Sequence, residues 1–372
     1  MDIGYFLKLM TEKKASDMFL TTGAPVYIKI EGKLHPLGST GLPSGMVKKI
    51  AYSLMDEGQV PQFERELELN MAYAMPEIGR FRINVFKQRG EVAMVIRSIL
   101  SVIPTIEELQ LPQVLKDIIM APRGLVLIVG STGSGKSTTL ASMIDHRNTH
   151  TSGHILTIED PIEFLHRHKQ SIVNQREVGL DTHAFHNALK NAMREAPDVI
   201  LIGEILDATT MEAAIAFAET GHLCLATLHS NNADQTLERI LNFFNESAHK
   251  NVLMNLALNL KAVVSQRLVI GTDGRRMPAA EVLINTPHVR DLMRRGQVHE
   301  IKQAMEESLE DGMETFDQCL FRLHREGRIE MEEALRAADS RDGLALKFRL
   351  SEGGSGGEHD PYADVFNNEA AH

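Results

Sequence analysis

The sequence predicts an α/β nucleotide-binding domain preceded by a smaller α+β domain. Three observations carry this: a glycine-rich loop between an apolar strand and a helix, strands alternating with helices from residue 125 onward, and two hairpin signals within the first hundred residues. The loop, Gly130-Ser131-Thr132-Gly133-Ser134-Gly135-Lys136-Ser137, has the G-x-x-x-x-G-K-[ST] spacing that wraps backbone around a polyphosphate. The run 125–129 before it reads as a buried parallel strand, and 137–144 after it as a helix. Glycines permit positive φ and close approach, successive N–H groups point at phosphate oxygens, and the helix start places about half a positive charge beneath them. The nucleotide-binding candidates are therefore Gly130, Ser131, Thr132, Gly133, Ser134, Gly135, Lys136, Ser137 and the next helical residue, Thr138. Lys136 is placed to reach the β- and γ-phosphates, and Ser137 to bind Mg²⁺.

A length of 372 residues suits two folded domains, and 43% hydrophobic content is enough for ordinary cores. No apolar run approaches the ~20 residues of a membrane span, and the first residues lack a signal-peptide core and cleavage site, so a cytoplasmic protein is expected. The two cysteines, Cys224 and Cys319, have no paired spacing and support neither a disulfide framework nor a cysteine zinc site. A net charge of −11 argues against a nucleic-acid partner, because phosphate-backbone binders present a basic face. Glu352, Glu358, Asp360, Asp364 and Glu369 contribute to that charge from a glycine-rich stretch without Lys or Arg, so 351–372 reads as a disordered acidic tail.

Residues 1–103 form the first domain. A helix over 3–13 is apolar at Ile3, Phe6, Leu7 and Met10, and a short strand follows near Met18. The runs 26–30 and 33–37 flank Glu31-Gly32, a two-residue hairpin signal, and a helix over 44–55 packs on the sheet. The second hairpin turns at Arg89-Gly90. Pairing Gln88 with Glu91 puts Arg82 opposite Arg97, with Arg80 on the same face two residues earlier. Like charges directly opposite are mildly destabilising, so three guanidinium groups on one face suggest an anion among them, the alternative being a solvated basic face.

Residues 104–112 are bounded by Pro104 and Pro112, carry an N-cap-like Thr105, and suit a short helix in an interdomain linker. The second domain runs over 113–350, with strands at 125–129, 154–158, 199–202 and 223–227 and helices at 184–195 and 208–220. Beyond Ala233 the pattern is mostly helical, through 251–264, 288–294, 298–309, 315–326 and 331–338.

Three further segments bear chemistry. Val199-Ile200-Leu201-Ile202-Gly203-Glu204 delivers an acid to the carboxyl end of a strand, where Glu204 can help hold Mg²⁺ or an attacking water. Thr157-Ile158-Glu159-Asp160-Pro161-Ile162-Glu163 places three acids at another strand end, any one of which could be a general base. His222 and His229 bracket a short apolar strand and are candidate γ-phosphate sensors, against the structural role that a lone histidine usually has.

Together these segments resemble the secretion ATPase superfamily of type II secretion and type IV pili, and more closely its pilus-retraction (PilT/PilU) branch, over residues 1 to about 345. Gly130–Ser137 matches its Walker A motif, 155–163 its Asp box, 199–204 its Walker B motif and 219–229 its His box. Residues 174–181 and the acidic tail look more like PilU-type than PilT-type members. The resemblance implies a PAS-like N-terminal domain, a RecA-like ATPase domain and a homohexamer at the inner-membrane pilus platform, with a PilT-like ATPase as a further candidate partner. The implied activity is hydrolysis of ATP with Mg²⁺ to depolymerise pilin. It also implies roles: Glu163 as base, Glu204 on Mg²⁺ or water, His222 and His229 reporting nucleotide state, and Arg80, Arg82 and Arg97 as the N-domain arginines. His288-Val289-Arg290-Asp291-Leu292-Met293-Arg294 resembles the retraction branch's signature stretch. One departure stands out: the family reads Gly-Glu-x-Arg-Asp after Walker B, whereas Leu206 occupies the arginine's place here. Low turnover is expected if that arginine braced the site, unless Leu206 packs against a helix of its own domain.

Overall fold

Two sheets organise the chain. The computed structural model describes residues 3–352 except 31, 77, 100, 101 and 309–311. In the first domain the elements are α1 (Ile3–Glu12), β1 (Asp17–Leu20), β2 (Tyr27–Ile30), β3 (Lys33–Pro36), α2 (Met46–Leu54), α3 (Gln59–Glu66), β4 (Glu68–Met75), β5 (Gly79–Gln88) and β6 (Glu91–Ile99). The strands form an antiparallel sheet in the order β3-β2-β1-β6-β5-β4. Period-two alternation sends Met18, Leu20, Met71, Phe81, Ile83, Val85, Met94 and Ile96 to one side, where they bury against Leu7 and Met10 of α1, Val47 and Ile50 of α2 and Phe63 of α3. The opposite side carries Asp17, Arg80, Arg82 and Arg97. The β5–β6 register is as the turn requires, Gln88 against Glu91 and Arg82 against Arg97. Helix α3 and strand β4 had no sequence reading of their own.

The second domain begins with α4 (Val114–Ile119) and β7 (Gly124–Val129), followed by α5 (Lys136–His150), β8 (Gly153–Glu159), β9 (Ser171–Glu177), α6 (Phe185–Ala192), β10 (Val199–Ile202), α7 (Ala208–Glu219) and β11 (Leu223–Leu228). The chain continues through α8 (Ala233–Leu241), α9 (Glu246–Asn259), β12 (Leu260–Ile270), β13 (Arg276–Ile284), α10 (Pro287–Arg295), α11 (Ile301–Glu306), α12 (Phe316–Arg325), α13 (Met331–Ala337) and α14 (Arg341–Glu352). Its sheet runs β13-β12-β7-β11-β10-β8-β9, and only the β12–β13 pair is antiparallel. The central strands β7, β10 and β11 are buried along their whole length, as expected for a parallel sheet covered on both faces.

Four expectations need correction. The stretch after Ala233 is mostly helical, as expected, but it also holds two strands, β12 and β13, that extend the sheet. The helix expected over 251–264 stops at Asn259, and Ala262, Val263 and Val264 pass into the sheet core. A mostly apolar stretch fits a buried strand as well as a helix, so periodicity could not place that boundary. The linker helix is one turn: Glu108 N–H donates to Thr105 Oγ1 and Thr105 N–H to the Glu108 carboxylate, but Gln110 adopts φ 56° and ends it. Ile106 and Leu111 of this segment are buried in the second domain's core. Finally, Ser351 and Glu352 close α14; the rest of the expected acidic tail lies outside the described residues.

Candidate functional site

Parallel pairing brings the chemistry to one edge. Val129 pairs with Leu228, Ile202 with Ala226, Ile158 with Ile202, and Glu159 with Glu177. The residues that follow, Gly130, His229, Glu204 and Glu163, therefore emerge together from the carboxyl ends of the strands, where doubly wound sheets bind ligands. His222 precedes Leu223, whose partner is Gly124 at the amino end of β7. The six residues of β11 separate it from His229 by roughly 20 Å. Of these two histidines, His229 is the one that stands beside the glycine-rich loop within one chain.

The loop needs its glycines. Gly130, Gly133 and Gly135 all have positive φ, and a Cβ on Gly130 would lie 2.5 Å from the Gln266 carbonyl oxygen and from Ser134 Oγ. A Cβ on Gly135 would lie 2.7 Å from Gln266 Nε2. Gln266 is buried in β12 beneath the loop, and its Oε1 accepts a 2.6 Å bond from Thr139 Oγ1 in α5. Sequence reading missed this buttress, although Ser265-Gln266-Arg267 interrupts an apolar strand with three polar residues. Ser131, Thr132 and Ser137 are exposed at the mouth of the loop. The Lys136 ammonium donates to the carbonyls of Gly130 at 2.7 Å and Ser131 at 3.0 Å. Burial lowers its pKa, and the Glu204 charge opposes that shift.

Glu204 Oε1 lies 3.0 Å from His229 Nε2. Their two strand ends are tied together, with Ile205 N–H donating to the Thr227 carbonyl at 2.9 Å and Thr227 Oγ1 donating to that of Gly203. Leu206 is 59% exposed and does not pack into a helix of its own domain. Asp207 caps α7 by accepting from Thr210 N–H at 2.8 Å, which holds its carboxyl below the usual range. The absent arginine thus leaves Asp207 partnered.

In the acidic turn, Glu159 is the most constrained group. Its Oε1 accepts from Thr157 Oγ1 at 2.6 Å and Gln175 Nε2 at 3.3 Å, and the carboxylate also bonds the Glu163 backbone. Burial nevertheless raises its pKa to about 7. The buried Glu177 braces the same turn, accepting from Ile162 N–H at 3.2 Å, and burial raises its pKa against the opposing charges of Arg82 and Arg80. The Glu163 charge in turn reaches Arg97. The arginine-bearing face of the first sheet therefore looks onto the acidic turn.

A further open cleft of about 510 Å³ is lined by Ser131 and Thr132 of the loop, His229, Ser230 and Asn231, and residues of α8. The wall turns into a buried polar hub: Asn232 and Lys302 bond Asp339 at 3.1 and 3.0 Å, and Arg267 pairs with the same carboxylate. The cleft opens directly onto the P-loop.

A family model described as type II/IV secretion system protein matches residues 5–308. The chain belongs to this family. It is 51% identical to the Pseudomonas aeruginosa type IV pilus ATPase PilU over 94% of its length and 92% of that protein. Identity to the PilT retraction ATPase of the same organism is 41%, over 91% of the chain and 98% of PilT. The crystal structure of the pilus retraction motor PilT with bound ADP superposes with a TM-score of 0.87 at 40% identity, covering 93% of the chain and 99% of PilT. The two-domain secretion ATPase fold, with a RecA-like second domain, is thus the fold of this chain.

Proposed function

We propose that the chain hydrolyses ATP to power retraction of a type IV pilus, as a homohexamer docked at the inner-membrane pilus platform. The observation that carries this is the convergence of the P-loop, the Glu204–His229 pair and the acidic turn on one sheet edge, facing three N-domain arginines, in a chain similar to PilU over nearly its full length. Ser137 and Glu204 offer the hard oxygen donors that suit Mg²⁺. Bound there, the ion would neutralise charge on the β- and γ-phosphates.

The chain's own residues supply the rest. The P-loop N–H groups and Lys136 bind the polyphosphate, and Glu163 accepts a proton from the attacking water. Glu204 orients that water, and His229, bonded to Glu204, links its position to the loop leading into α8. Arg80, Arg82 and Arg97 close over the phosphates when the N-domain moves, and release after hydrolysis reopens it. His222, at the far strand end, would report nucleotide state only across a subunit boundary.

A second reading, a nucleotide-gated accessory subunit of a PilT-like motor with little turnover of its own, is favoured by Leu206, which stands exposed two residues past Glu204. Complementation separates the two. In cells lacking the native chain but keeping the partner motor, the motor reading expects Glu163→Gln to abolish the chain's contribution to retraction force. Full force from that variant would favour the accessory reading.

A further inference from the structure

The three arginines of the first sheet are not equivalent. Asp17, Arg97 and Arg82 stand in a row across β1, β6 and β5, since Asp17 pairs with Arg97 and Arg97 with Arg82. Asp17 is buried, and its Oδ1 accepts from Arg97 Nε at 2.8 Å while Oδ2 accepts from Ser16 Oγ at 2.9 Å. Among the described residues Arg80 and Arg82 have no carboxylate within ion-pair distance, so Asp17 singles out one guanidinium. The bond uses only Nε–H. The Nη edge of the guanidinium, the edge that binds phosphate oxygens bidentately, stays open on a side chain that is 54% exposed. The charge of Arg97 also interacts with that of Glu163.

We infer that Asp17 is a positioning residue, which fixes the Arg97 guanidinium so that Arg97, rather than Arg80 or Arg82, meets the γ-phosphate when the domains close. A free arginine loses much of its rotamer freedom when it grips an anion. One already held through Nε loses less, and it presents its fork in one direction. Ser16 holds the other carboxylate oxygen and so fixes the plane of the anchor. This inference rests on the ATPase reading, because it names the arginine that reaction uses.

The test compares affinities of the full-length chain for MgADP and for MgADP with aluminium fluoride, which mimics the phosphoryl group in transfer. Asp17→Asn keeps the shape and removes the charge. It is expected to leave MgADP affinity unchanged and to weaken the aluminium fluoride complex roughly tenfold, the loss of one charge-assisted contact. In an Arg97→Ala background the same substitution should have no further effect, because the group it positions is gone. If Asp17→Asn melts below the assay temperature, Ser16→Ala takes its place, with the same direction expected. An unchanged analogue affinity, or a loss that persists in full without Arg97, would overturn the inference while leaving the nucleotide site intact. Failure of the parent chain to bind MgADP at all would overturn both.

Discussion

Glu159 ties a pH dependence to the acidic turn itself. Its carboxylate fixes the acidic turn through Thr157, Gln175 and the Glu163 backbone, and burial raises its pKa to about 7. Only the ionised form offers every lone pair to these donors. With that midpoint the ionised fraction is about one in eleven at pH 6 and about ten in eleven at pH 8, so turnover is expected to rise roughly tenfold across that range. Stability moves the other way. A carboxyl whose folded pKa lies above its unfolded value favours folding fully below about pH 4.5, and that contribution is lost as pH rises through 7; the shift corresponds to about 3 kcal/mol. The assay is the rate of phosphate release at saturating MgATP from pH 6 to 8, for the parent chain and Glu159→Gln. The variant should show a flattened profile while still binding ATP. An inflexion near pH 7 that survives in Glu159→Gln would refute the assignment and move the titrating group elsewhere.

Gln266→Ala removes the acceptor of the buried Thr139 hydroxyl and the floor of the P-loop; a loss of about 1–3 kcal/mol is expected, read as a lower melting temperature together with weaker ATP binding. Glu281, buried with its pKa raised to about 7 and Oε1 accepting from Ala233 N–H at 2.7 Å, is a second carboxyl of the same sign. Glu281→Gln should therefore gain on the parent by up to about 3 kcal/mol as pH rises from 4.5 to 8, measured by denaturant melts at both ends of that range. Leu206→Arg, at an exposed position, should leave the melting temperature within a degree or two and raise turnover at unchanged ATP affinity. No gain in rate would show that the family's arginine has no catalytic duty in this chain.

The sequence made the active edge legible where motifs carry their own geometry. The strand–loop–helix of 125–144 reads as a phosphate cradle and the structure forms that strand, loop and helix, and the Arg82–Arg97 pairing followed from a two-residue turn whose length sets the register. It was less informative where one pattern serves two structures. Residues 252–264 are mostly apolar, so helix α9 and the start of strand β12 share one pattern, and Gln266 is hidden in the strand that this pattern does not separate. Asp17 and Glu177 were invisible for another reason: each gains its role from a partner 80 and 15 residues away, Arg97 and Ile162, and no local pattern marks such a contact. The two histidines looked alike in sequence because spacing along a strand does not say which end of the sheet holds the ligand.

The central claim is that this chain couples ATP hydrolysis at the Lys136 loop to movement of a hexameric ring. The most direct measurement is steady-state phosphate release by the purified full-length chain, with its mass in solution, alone and with a PilT-like partner, for the parent and for Lys136→Ala. The account predicts a hexamer that hydrolyses ATP and a variant that does not, since no other cation in the loop can replace the ammonium on the β- and γ-phosphates. Equal turnover in parent and variant, or no turnover by the parent in either setting, would contradict it.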